Sequence, residues 1–146
     1  MFALFKKEIQ KASFEDVQYS INYPHNFLLI NTLSIREQDC LIEKTVPCHE
    51  EEQILNELIK MYHFKQKHII IYGKNVNDES VINKYNQIKS LGFQNVFCYQ
   101  GGLFEWLLLQ DVYGKDEFKT TTYTLDILKY KPAVSYTHLT LPTNDQ

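Results

Sequence analysis

Short continuous apolar runs alternate along this chain with stretches whose apolar residues recur at spacings of three and four. Residues 14–23, FEDVQYSINY, place Phe14, Val17 and Ile21 at helical spacing and predict a first helix closed by Pro24. FLLINTL (27–33) and HIIIY (68–72) are runs of the type that forms strands buried on both faces. Between them, Glu50 to Tyr62 carries Ile54, Leu55, Leu58, Ile59 and Tyr62 on one stripe, with acids crowding its first turn. A further helix, capped by Asn77 or Asp78, turns Val81, Ile82, Tyr85, Ile88 and Leu91 inward and stops at Gly92 as a C′ glycine ahead of Phe93. NVFCY (95–99) is the next strand, Gly101-Gly102 a tight turn, and residues 103–114 a helix closed by Gly114. Strands and helices in this alternation predict an α/β domain with a mainly parallel central sheet flanked by helices.

Composition narrows the class. The chain's 146 residues suit one domain, and its 44% hydrophobic and 14% aromatic content can fill a core. A net charge of -3 without a basic stripe argues against nucleic acid as a partner. The apolar part of MFALFKKEIQ is too short for a signal peptide, and nothing else approaches the roughly 20 apolar residues that span a bilayer. Cys40, Cys48 and Cys98 are odd in number and lack C-x-x-C spacing, so neither disulfides nor a zinc site is expected. Cys48-His49 with His63 lacks the second ligand pair that a metal finger needs. A reduced, cytoplasmic protein without cofactor or metal is the expectation.

The C-terminal VSYTHLTLPT (134–143) follows Lys131-Pro132, a plausible domain end, and fits nothing before it. It resembles a translated sequencing adaptor, so residues 133–146 are read as a non-native tail, after which the natural chain would continue differently from about Pro132. Its alternation of Thr and Leu also suits an edge strand. The expected domain is therefore 1–132, with 115–132 as a C-terminal extension. That extension, KDEFKTTTYTLDILKYKP, carries Leu125, Ile127, Leu128 and Tyr130, which suit either docking on the domain or reaching a partner.

The candidate chemistry lies where HIIIYG meets KNVNDES. A strand ending in Tyr72-Gly73, a loop, a helix ending in Leu91-Gly92-Phe93, the strand from Asn95-Val96, then Gly101-Gly102-Leu103-Phe104-Glu105-Trp106 follow in order. This succession, from Ile69 to Trp106, resembles the C-terminal half of a rhodanese-like (sulfurtransferase) domain. The first half is eroded: Asn31 takes the place of the family's aspartate and Leu33 that of its arginine. Residues Ile42 to Pro47 replace its glycine-rich turn. The eroded domain also resembles rhodanese-like proteins encoded by large DNA viruses of protists, in keeping with a composition rich in Ile, Lys, Asn and Tyr.

The resemblance implies a rhodanese-like fold over roughly 14–114. In active members, a cysteine after the strand carries sulfur as a persulfide, held by loop N–H groups and an arginine. Gly73 aligns with that cysteine, and Glu79 or Ser80 with the arginine. The related dual-specificity phosphatases need a Cys–Arg pair that is equally missing. Gly73, Lys74, Asn75, Val76, Asn77, Asp78 and Glu79 thus form a vestigial loop with no catalytic residue. Lys74 favours an anion there, whereas Asp78 and Glu79, expected in the helix's first turn, disfavour one. The expected function is a catalytically inactive module that binds a protein or ligand. The alternative is a sulfurtransferase using a displaced cysteine, Cys40 or Cys48. Cys98, inside a strand, is expected to be inert. Trp106 with Leu103, Phe104, Leu107 and Leu108 is expected to pack the last helix on the sheet.

Overall fold

The computed structural model describes residues 8–133. Its strands are β1 (Lys11–Ala12), β2 (Phe27–Asn31), β3 (His68–Tyr72) and β4 (Val96–Tyr99); its α-helices are α1 (Phe14–Asn22), α2 (Glu51–Lys60), α3 (Ser80–Ser90) and α4 (Gly102–Tyr113). The sheet order is β1-β4-β3-β2, with every pairing parallel. Leu28 lies opposite Ile69 and Ile71 opposite Cys98, so the β-branched run of β3 sits between two neighbours. The α/β architecture expected from the alternating pattern is the one the chain adopts.

Alternation along β3 divides the core in two. Ile70 and Tyr72, with Leu29 and Tyr99, face α1 and α4, where Val17, Ile21, Leu103, Trp106 and Leu107 complete the packing. Ile69 and Ile71, with Leu28 and Ile30, face α2 and α3 through Leu55, Leu58, Val81, Tyr85 and Ile88. Helix α1 opens on a capping box: Ser13 Oγ accepts the Asp16 N–H at 3.2 Å, and Asp16 returns a carboxylate to the Ser13 N–H at 2.8 Å. Gly92 ends α3 at φ 110°, with Phe93 buried behind it as the C′ glycine reading requires.

Several expectations shift. Strand β1 is two residues long and gave no periodic signal. Helix α2 stops at Lys60, so Tyr62 leaves the apolar stripe, turns to φ 57° and is exposed. Leu91 is likewise exposed, since α3 ends at Ser90, and Leu108 is exposed on the outer side of α4. The extension docks on the domain. Phe118 and Tyr130 are buried, Thr120 pairs antiparallel with Ile42, and Trp106 Nε1 donates to the Lys119 carbonyl at 3.0 Å. Gln110 Nε2 donates to the Phe118 carbonyl at 2.7 Å. The adaptor-like stretch 134–143 lies outside the described residues. Among the described residues, no helix is long and apolar enough to cross a membrane.

Candidate functional site

The loop 73–79 leaves the C-terminal end of β3, where doubly wound folds expose backbone N–H groups to ligands. Here those groups turn inward. Asp78 Oδ2 accepts the Lys74 N–H at 3.0 Å and the Thr32 hydroxyl at 3.0 Å. Asp78 Oδ1 accepts the Ser80 N–H at 3.0 Å and the Ser80 hydroxyl as well. Asn75 closes the other side: its Oδ1 accepts the Asn77 N–H at 2.9 Å and its carbonyl accepts the Asp78 N–H at 3.2 Å. The N–H groups of residues 74, 77, 78 and 80 therefore all end on acceptors of the loop itself. The Asp78 carboxylate is itself an anion held by two of these N–H groups and two hydroxyls.

This corrects the expected helix start. Helix α3 begins at Ser80 with Glu79 in the N-cap position, and Glu79 makes no side-chain cap bond. Asp78 and Glu79 thus precede the helix instead of lying in its first turn. Asp78 still delivers its charge to the helix through the Ser80 N–H, in the manner of an Asx turn. Asn77 does not cap the helix; its Nδ2 faces the Ala133 carbonyl at 3.5 Å. Burial raises the Asp78 pKa, but the bonds from Ser80, Lys74 and Thr32 outweigh it and hold the carboxyl below its ordinary value.

Gly73 itself is constrained by neighbours and not by torsion. It is not among the glycines with positive φ. A Cβ placed on it would overlap Asp78 Oδ2 and come within 2.6 Å of Val81 Cγ2. Gly102 needs both features of its residue type. At φ 68°, its missing Cβ lets the loop approach, since a Cβ there would lie 2.7 Å from the Gly73 carbonyl oxygen and 3.0 Å from the Asn75 nitrogen. The Gly73 and Lys74 carbonyls then receive the Leu103 and Phe104 N–H groups, each at 2.9 Å. The open donors of α4 are spent on the loop.

The loop's positive charge is also committed. Lys74 Nζ lies 2.8 Å from Glu37 Oε2, and that hydrogen bond lowers the Glu37 pKa more than burial raises it. Val76 is exposed. Asn31 and Leu33, at the eroded family positions, are buried: Asn31 Oδ1 accepts the Leu33 N–H at 3.0 Å and Gln38 Nε2 at 2.8 Å. They shape the turn after β2 and present nothing outward.

The three cysteines are dispersed free thiols. Cys98 is buried in β4, and desolvation pushes its thiol up to about 11. Cys40 is buried under the extension, its Sγ 3.5 Å from the Thr122 carbonyl, and desolvation again raises its pKa. Cys48 is half-buried at the start of a 3-10 turn, Cys48–Glu50, beside α2. Among the described residues, Cys48, His49 and His63 join no metal-holding group. The pairings of Asp78 with Thr32, Lys74 with Glu37 and Asn75 with Tyr130 cross long stretches of chain and carry no local signal. Only Asp78-Glu79-Ser80 had one, as an Asx turn ahead of a helix.

Solved structures share the fold. The crystal structure of the single-domain sulfurtransferase RDL2 from Saccharomyces cerevisiae is similar at 20% identity and TM-score 0.53, over 74% of this chain and 96% of that one. Ygr203w, described as a yeast protein tyrosine phosphatase of the Rhodanese family, gives 12% identity and TM-score 0.57 over 83% and 97%. The Alr3790 protein from Anabaena gives 16% and 0.53 over 81% and 97%. At these identities the likeness concerns the fold. No curated protein gives a sequence match. The family model of the rhodanese-like domain matches residues 10–109, from the approach to β1 into α4. On that match, and on the sheet and loop that accompany it, the chain belongs to the rhodanese-like domain family.

Proposed function

We propose that this protein is a rhodanese-like module that works by binding a protein or ligand and turns over no sulfur donor. One observation carries the reading: the Asp78 carboxylate occupies the space in front of Gly73 and accepts the Lys74 and Ser80 N–H groups. Sulfur transfer needs a thiolate at the head of the loop and positive potential around it. Gly73 supplies no side chain, and the Lys74 charge is spent on Glu37. A second anion would meet the Asp78 charge at close range. The vestigial loop 73–79 is thus a structural connection whose outer rim, with exposed Val76, is free for recognition.

The displaced-cysteine alternative gains little support. Burial that raises the Cys40 pKa disfavours its thiolate at neutral pH, and Cys48 lies beside α2. Free thiols at all three cysteines suit a reducing compartment, and we place the protein in the cytoplasm. The test is a thiosulfate:cyanide assay with intact-mass measurement after thiosulfate alone. The expected result is no thiocyanate above the buffer rate and no cysteine carrying an added sulfur. Thiocyanate production together with a persulfide on Cys40 or Cys48 would establish the enzyme instead.

A further inference from the structure

The extension 115–132 lies beyond the residues matched by the family model, yet it reaches the loop and covers Cys40. Its first half is held firmly. Phe118 is buried edge-on to Trp106, with ring centroids 4.9 Å apart, and the Lys119 carbonyl accepts both Trp106 Nε1 and the Glu43 N–H. From Thr121 onward the attachment thins. Residues 121–129 contribute no buried side chain, and Leu125 is 84% exposed. What fixes this stretch is a row of hydrogen bonds to the segment before it, the half-buried Ile127 against the core, then one aromatic anchor. The Thr121 N–H donates to the Leu41 carbonyl at 2.8 Å, the Thr122 hydroxyl to the Asp39 carbonyl at 2.9 Å, and Cys40 Sγ contacts the Thr122 carbonyl. Tyr130 then plugs into the core, and its carbonyl accepts Asn75 Nδ2 of the loop at 2.9 Å.

The anchor is an imperfect one. The Tyr130 ring is fully buried, but its hydroxyl is unpartnered within the described residues. A buried hydroxyl without a partner forfeits its bonds to water and regains them only when the ring leaves. A stretch of exposed residues ending in such a plug has the make-up of a locally opening unit.

We propose that residues 121–132 form a strap that opens independently of the sheet, uncovering the Cys40 thiol and freeing the Asn75 side chain. The strap is the in-cis occupant of the face between the loop and the turn after β2, and its departure makes that face available.

Peptide-resolved alkylation of the native, full chain tests this, with Cys48 as the accessible reference and Cys98 as the reporter of global unfolding. Cys40 is expected to label at least about tenfold faster than Cys98, because local opening lies below the global free energy. Two variants act at opposite ends of the strap. Asn75→Asp keeps the acceptor for the Asn77 N–H but loses the donor to Tyr130. Thr122→Val removes an exposed hydroxyl without touching the core. Each is expected to raise the Cys40 rate about threefold to tenfold, as the loss of one hydrogen bond allows, and to leave Cys98 unchanged. Equal rates at Cys40 and Cys98, responding together to both variants, would show that the strap is a fixed part of the fold. Thiosulfate turnover is read separately, so the strap can fail while the binding reading holds, and the reverse.

Discussion

Replacing Trp106 with alanine is expected to cost about 3–5 kcal/mol, a large share of a total stability of about 5–15 kcal/mol. The indole is fully buried, edge-on to Tyr99 and Phe118, and its Nε1 donates to the Lys119 carbonyl. Truncation would open a cavity between α4 and the sheet and leave the Lys119 carbonyl with the Glu43 N–H alone. Chemical denaturation of wild type and Trp106→Ala checks it. A loss under about 1 kcal/mol would mean that the ring carries little of the packing assigned to it.

Restoring a thiol at Gly73 has the second large effect. Gly73→Cys is expected to destabilise by about 1–3 kcal/mol, since the new Cβ overlaps Asp78 and presses on Val81. Displacing the carboxylate would also release its bonds to Lys74, Thr32 and Ser80, adding about another 1–3 kcal/mol. Because both costs act through one contact, Gly73→Cys and Asp78→Ala should be non-additive, the pair costing less than the sum by at least about 0.5 kcal/mol. Additive costs would place the new side chain away from Asp78. No sulfurtransferase activity is expected from Gly73→Cys alone. Glu79 aligns with the family's arginine, but it precedes the helix and makes no side-chain cap bond, whereas Asp78 lies against Gly73. Activity is therefore expected to respond more to Asp78→Ala than to Glu79→Arg.

The fold was legible where periodicity was strong. HIIIY is β3 residue for residue, and FLLIN of the longer apolar run is β2. Edges were less legible: Tyr62 and Leu91 continue a helical stripe in sequence, but each chain leaves its helix before the stripe ends. The Gly-Gly pair was readable as a turn, although its reason is the Gly73 carbonyl pressed against Gly102. At the site, the sequence shows a glycine, Gly73, after β3. What lies against it could not be read there, because the Asp78 carboxylate is held by Thr32, a residue 46 positions away, and folding alone brings the two together. The sequence left the extension free to dock or to reach a partner, since the residues that meet Phe118 and Tyr130, among them Phe14, Trp106 and Asn75, are distant along the chain or share no periodic pattern with them.

The central claim is that the protein's own carboxylate fills the anion site of the loop. Its most direct test is the thermal midpoint of wild type and Asp78→Ala in rising thiosulfate at constant ionic strength. A ligand that binds only the folded state raises the midpoint saturably. A flat wild-type response is expected, with a saturable rise in Asp78→Ala, where the Lys74 and Ser80 N–H groups have lost their acceptor. A saturable rise in the wild type would contradict it, showing that the loop accepts an external anion with Asp78 in place.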